Sequence, residues 1–200
     1  MSIAKSGKNN NLHTLIPLEN FKALLGVDDR EDKLSKFCLV TSTLTIEQYC
    51  KRRLLRKKHF ETIEYTGDLL LPFKEYPVTE ILAAYTNGAI IEPDLYHCVP
   101  DCGVAEDIPF YLSLSPAFER LRNIKEIKII YYAGYKLGKI PADLASACLE
   151  LAAWNMSRYK GRRIGMTGNA RGSGKDSEHF ELTVPENVKL LLEPYRRKTI

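Results

Sequence analysis

The chain lacks any run approaching the roughly 20 apolar residues that a membrane-crossing helix needs. Its first residues, MSIAKSGKNNNLHT, have no apolar core of a secretory signal and read as a polar tail over 1–16. No membrane partner is expected. The five cysteines (Cys38, Cys50, Cys98, Cys102, Cys148) are odd in number and scattered. Three fall in helical patterns, where a free thiol packs as a small apolar side chain, which suits a reducing, cytoplasmic site of synthesis. Repeats at solenoid spacing are absent.

Catalytic signatures are missing too. A phosphate-binding loop needs glycine, four residues, Gly-Lys, then Ser or Thr. Here Gly174-Lys175 is followed by Asp176, and Asn169 stands where the first glycine belongs. There is no Gly-x-Ser-x-Gly and no His-Glu-x-x-His, and the four histidines are separated. His97, Cys98 and Cys102 invite a zinc reading, but no second Cys/His pair lies in register. Asp101, Glu106 and Asp107 do not follow the spacing of a calcium loop. No metal, no cofactor and no enzymatic activity are expected.

What is present is unevenly placed charge. Residues 1–58 carry twelve Lys/Arg against six Asp/Glu, 59–140 seven against twelve, and 141–200 ten against seven. Positive, negative, positive along the chain suits either ordinary solubility or self-assembly, one copy's middle attracting another's ends. The densest segment is 158–175, RYKGRRIGMTGNARGSGK. It holds Arg158, Lys160, Arg162, Arg163, Arg171 and Lys175 with five glycines and no acid. Such a loop cannot pack a core. It reads as a flexible arm facing phosphate or an acidic protein surface.

Periodicity supplies the framework. Pro17 opens a short helix over 17–25 with Phe21, Leu24 and Leu25 on one face, stopped by Gly26. A longer helix is predicted over 30–54, capped by Asp28 or Asp29 and lined by Leu34, Phe37, Cys38, Thr41, Thr45 and Tyr49. KRRLLRKK at 51–58 ends it; six cations there suit either the helix dipole or nucleic acid. The stretch 59–135 reads as β, with an Asn87-Gly88 hairpin and EIKIIYYAGY at 126–135 as its best strand. Ile127, Ile129 and Tyr131 share one face of that strand. Pro141 opens the clearest helix, 141–160, with a stripe of Leu144, Ala147, Cys148, Leu151, Ala152, Trp154 and Asn155. After the basic loop, HFELTV reads as a short strand and Pro185 opens a last helix. Val188, Leu191, Leu192, Tyr195, Arg196 and Arg197 offer apolar anchors beside cations there. That arrangement serves docking on a partner, or packing on the chain's own domain.

Five segments follow one another over about 17 to 160: LLGVDDREDKL, Ile46-Glu47-Gln48-Tyr49-Cys50, YPVTEI, Tyr132-Ala133-Gly134-Tyr135 and IPADLASACLELAAWN. Their order resembles the head-tail connector (adaptor, or head-completion) family of tailed bacteriophages. The resemblance implies a mainly helical α+β fold: a small helical bundle with an inserted antiparallel β-hairpin region and an extended C-terminal arm. It implies a tail over 1–16, a connector domain over 17–160, and a basic loop with a docking arm over 161–200. It further implies a structural virion protein of the neck, assembled in the host cytoplasm as a ring, commonly a dodecamer, beneath the portal protein. Its expected partners are its own copies, the portal, tail or stopper proteins, and packaged double-stranded DNA contacted without regard to sequence. The chain departs from a minimal member in an enlarged β region (83–125) and a long basic arm. The alternative reading is a free-standing, non-enzymatic nucleic-acid-binding protein, although no helix carries helix-turn-helix spacing with base-reading side chains.

Overall fold

The computed structural model describes residues 13–100, 109–120, 123–161, 168–169, 178–179 and 184–197. The helices are α1 (Leu18–Leu25), α2 (Asp32–Cys50), α3 (Ala142–Lys160) and α4 (Glu186–Leu192). Each is entered or left by residues that suit the end. Pro17, Pro141 and Pro185 precede α1, α3 and α4, and Gly26 turns left-handed (φ 62°) at the end of α1. Neither Asp28 nor Asp29 caps α2. The chain instead passes through a 3-10 turn, Asp29–Glu31, with no capping side-chain bond.

The strands are β1 (Lys57–Glu64), β2 (Leu70–Pro72), β3 (Val78–Thr86), β4 (Ala89–Ile90), β5 (Tyr96–Pro100), β6 (Pro109–Leu114) and β7 (Glu126–Ala133). A four-stranded antiparallel sheet runs β1-β7-β3-β4, and a three-stranded one β2-β6-β5. A two-residue ladder joins β8 (Gly168–Asn169) to β9 (Glu178–His179). Asn87 and Gly88 turn the β3–β4 hairpin with φ of 50° and 79°, the two positive values its dipeptide signals.

The expectation of a mainly helical bundle with an inserted hairpin is therefore wrong. The middle of the chain forms two full antiparallel sheets with a core of their own, and the fold is mixed α+β. Short strands with bulges and interrupting turns read as loose hairpins in sequence. Pairing through the central strand β7 makes them one unit, because every inward side chain of β7 is buried against the second sheet. Ile127, Ile129, Tyr131 and Ala133 meet Leu112, Leu114 and Phe118 there.

The second core is helical. The buried stripe of α3, Leu144, Ala147, Cys148, Leu151 and Ala152, packs on α2, with Phe21, Val188 and Leu192 closing its ends. Trp154 and Asn155 lie at the margin of that stripe, half-buried, and Met156 takes the inner place. On α2 the buried positions are Ser35, Cys38, Leu39, Ser42, Thr43, Ile46, Glu47 and Cys50. The expected face is thus rotated: Cys38 is inside, but Phe37 is exposed. Small residues line the seam because the helices approach closely there, and their hydroxyls find partners. Thr43 Oγ accepts the Leu15 N–H at 3.1 Å, and Asn155 Nδ2 donates to Ser42 Oγ at 3.0 Å. Helix α2 stops at Cys50, with Lys51 left-handed (φ 55°), four residues before the expected end.

Candidate functional site

The two cores meet at one junction, and it is built from the segments on which the family resemblance rests. Glu47 is buried at the end of α2. Its carboxylate accepts the Leu54 N–H at 3.0 Å and Arg53 at 2.8 Å, and lies 2.9 Å from His13 Nε2. Burial pushes this acid upward, but the hydrogen bonds from His13, Leu54 and Arg53 outweigh it. The carboxyl sits below its ordinary range.

Arg52 is also buried. Its guanidinium donates to the carbonyls of Tyr195 and Tyr76 and lies 3.9 Å over the Tyr76 ring. Gly134 completes the crossing. It has φ of 99°, and a Cβ there would stand 2.6 Å from the Leu55 carbonyl carbon. Only glycine lets the strand 132–135 run this close to 54–56. The Tyr135 N–H donates to Leu54 O at 2.7 Å, and the Arg56 N–H donates to Tyr135 O at 2.9 Å.

The basic run 51–58 is thus dispersed. Arg52 and Arg53 hold the junction. Arg56 stacks 3.9 Å from the Tyr132 ring and pairs with Glu80 at 2.9 Å. Lys57 and Lys58 stay exposed at the start of β1, as does Lys51 at the end of α2.

Of the expected basic loop, Arg158 and Lys160 fall in the last turn of α3. Arg158 lies 4.5 Å over the Trp154 ring, and Lys160 pairs with Glu31 at 2.7 Å. Arg162, Arg163, Arg171 and Lys175 lie outside the described residues, as do Asp101, Cys102, Glu106, Asp107 and the first twelve residues of the expected tail.

The expected docking arm is placed against its own chain. Val188, Leu192 and Tyr195 are buried in the helical core, Leu191 is partly buried there, and the Tyr195 hydroxyl donates to Asp143. Arg196 pairs with Glu193 at 2.8 Å. Arg197 donates to Lys74 O at 3.1 Å and pairs with Glu75, while its N–H reaches Cys50 O at 2.8 Å. Leu190 remains 71% exposed.

Reactive chemistry is weakly provided. Burial pushes the thiols of Cys38, Cys50, Cys98 and Cys148 up to about 11, so none is a thiolate near neutrality. Among the described residues no group of three His, Cys, Asp or Glu could hold a metal, and no helix is long and apolar enough to cross a membrane. A cleft of about 530 Å³ opens beside Glu61, Phe73, Lys74, Tyr76 and Arg197. Of the two acids that line it, Glu61 and Glu64, the first is already engaged. Glu61 accepts the Tyr131 hydroxyl at 2.6 Å and the Lys74 N–H at 3.2 Å. Desolvation pushes Tyr131 strongly upward, and Glu61 adds to it. His59, stacked on Tyr131, is pushed downward by burial, which favours its neutral form.

Surfaces are better provided than chemistry. Sequence reasoning missed two of them. One is the outer face of the four-stranded sheet, where Phe60 is 72% and Ile90 65% exposed; the other is the tip of α1, where Leu24 is 66% exposed. Phe60 had a signal: it alternates with the inward His59 and Glu61 and so had to point outward.

No family model matches the chain, and no curated protein matches it. Solved structures do. A chain in the neck of an empty gene transfer agent particle computed with C6 symmetry is 16% identical, with a TM-score of 0.57. A chain in the virion of a native gene transfer agent particle is 16% identical at 0.58. A chain in the neck of the native particle computed with C12 symmetry is 18% identical at 0.52. Each match covers 93% of this chain and 91% of the other. At this identity the likeness shows a shared fold.

Proposed function

We propose that this chain is a structural, non-enzymatic component of the neck of a phage-like particle. Its copies form a ring, a dodecamer, that adjoins the portal at the head-tail junction, extends the DNA channel and receives tail or stopper proteins below. The observation that carries this reading is the fold shared over nearly the whole chain with chains from gene transfer agent particles, two of them in necks computed with cyclic symmetry. The order of sequence segments supports it independently, since Glu47 and Gly134, from two of those segments, build the junction between the cores.

In this reading the segment 161–200 carries contacts to portal and DNA. Val188, Leu192 and Tyr195 hold its end to the subunit, leaving Leu190 toward partners. Arg158, Lys160, Arg162, Arg163, Arg171 and Lys175 supply charge for phosphate, which needs no base readout. The test is electron microscopy of the purified protein, alone and with portal rings, beside salt-dependent DNA binding. Rings of twelve and sequence-blind, salt-sensitive DNA contact are expected. A stable monomer or dimer that binds duplex DNA tightly and ignores portal rings overturns the reading in favour of a free-standing nucleic-acid binder.

A further inference from the structure

Another cleft, of about 460 Å³, opens at the end of α2, where the two halves of the fold join. Four cations line it, Lys51, Arg52, Arg53 and Arg197, against two carboxylates, Glu47 and Glu75. Both carboxylates are spent inside the chain. Glu47 is held by the Leu54 N–H, Arg53 and His13. Glu75 accepts the Arg53 N–H at 3.1 Å and pairs with Arg197. Lys51 and Arg52 meet no carboxylate among the described residues, so the lining keeps two positive charges in excess. Glu193 and Arg196, whose charges also reach Cys50, pair with each other at 2.8 Å. Bare carbonyls at a helix end repel an anion. Here the carbonyls of Glu47, Gln48 and Cys50 are taken by the N–H groups of Arg52, Lys51 and Arg197.

Arg52 carries the inference. Its side chain is 4% exposed, yet it lines the cleft. Nε donates to Tyr195 O, Nη1 donates to Tyr76 O, and the guanidinium lies 3.9 Å from the centre of the Tyr76 ring. The third nitrogen, Nη2, is buried and finds no partner among the described residues. A buried guanidinium with an unspent donor and no carboxylate calls for an acceptor that also brings negative charge. Water satisfies the donor and leaves the charge. The cations nearer solvent have donors to spare. Lys51 is exposed. Arg53 spends Nη1 on Glu47, and Arg197 spends Nη2 on Lys74 O and Glu75. Each planar fork keeps further N–H donors.

We propose that this cleft binds a phosphate group. Lys51, Arg53 and Arg197 donate to its oxygens, and Arg52 supplies the buried charge behind them. A phosphate dianion balances the two excess charges, and its three acceptor oxygens engage several donors at once. The phosphate comes either from solution or from the backbone of duplex DNA. The inference goes beyond the ring reading, since one folded copy contains the whole site.

The test uses the full chain and inorganic phosphate, against chloride at matched ionic strength so that screening is constant. Binding is read from the arginine Nε–H signals in proton–nitrogen NMR spectra and by calorimetry, and folding by a circular-dichroism melt. A saturable shift at Arg52, with one phosphate per chain, is expected. Lys51→Gly suits the left-handed backbone there, and Gln48→Glu adds an acid at an exposed lining position. Each is expected to weaken phosphate binding about tenfold with little change in the melt. Duplex DNA is then added to the phosphate-bound chain. Displacement and its absence both support the cleft: the first assigns the phosphate to a DNA backbone, the second to free phosphate. A shift that chloride reproduces, or phosphate binding that both variants leave intact, overturns the inference; the cations then serve only the helix end and the junction. Ring formation is scored separately by electron microscopy, so failure of the ring reading and failure of this site are distinct results.

Discussion

The two cores are assembled from opposite parts of the chain. The buried residues of the sheet core all lie between Leu71 and Ala133, one continuous middle of the chain, although β1 and β3 reach far along it to pair with β7. The helical core draws on both ends: Leu15, Ile16 and Phe21 from one, and Val188, Leu192 and Tyr195 from the other, around α2 and α3. Every pairing of the two larger sheets stays within 57–133, while the helical unit is complete only when the chain's ends have met. Loop-closure entropy opposes that step, so the helical half depends on every late contact. The junction of Glu47, Arg52 and Gly134 ties one to the other.

Removal of 185–200 tests this dependence most severely. It takes away three buried side chains, Val188, Leu192 and Tyr195. At about 2–4 kcal/mol each the loss rivals the whole stability of a domain. The helical half is expected to unfold, seen as loss of amide protection in α3. Protection in β7 that outlasts it sharpens the contrast between the cores; simultaneous loss breaks it.

Gly134→Ala attacks the junction itself. The left-handed backbone and the 2.6 Å approach to Leu55 both oppose a methyl group. A cost of about 2–5 kcal/mol is expected in urea unfolding. A neutral result would show that the strands at 54–56 and 132–135 can part without loosening either core.

Glu47→Gln leaves the shape and removes the charge. A loss of about 1.5–3 kcal/mol is expected at neutral pH. The folded carboxyl lies below its ordinary range, so its stabilisation is full above the unfolded value, about 4.3. It fades as pH falls through the lower folded value. Stability profiles of wild type and variant should therefore converge on acidification. A gap constant with pH would mean that charge plays no part in joining the two halves.

Trp154→Ala probes the margin of the helical core. The ring is half-buried and covered by Arg158 at 4.5 Å. About 1–2 kcal/mol is expected in the melt, part of it from the cation–ring contact. A loss of 3 kcal/mol or more, typical of a central aromatic, would place Trp154 inside the core rather than at its edge.

Legibility followed how local the signal was. The alternation of β7, the Asn-Gly hairpin and the proline-opened α3 could be read because spacing along one element fixes which face is buried. The face of α2 could not. Phe37 was expected on the lined side and is exposed, while Ser35, Ser42 and Thr43, which that lining did not include, are inside. Their placement depends on how near α3 lies, which no single-helix pattern contains. The basic run 51–58 misled for a similar reason. It read as one charged helix end, yet Arg52 is buried between carbonyls contributed by residues 76 and 195. Of the candidate site, Tyr195 and Val188 were recognised as anchors, but the side they anchor to lay beyond sequence reach.

The sequence by itself determined most of the elements, their order and the Asn-Gly turn between β3 and β4, since these follow from backbone sterics and periodicity within a few residues. The tertiary structure alone decided that the middle forms two sheets with a separate core, that a buried acid and arginine join the halves, and that the outer sheet face stays bare. Those outcomes depend on distances between segments far apart in the chain, and residue spacing along a strand or helix does not encode them.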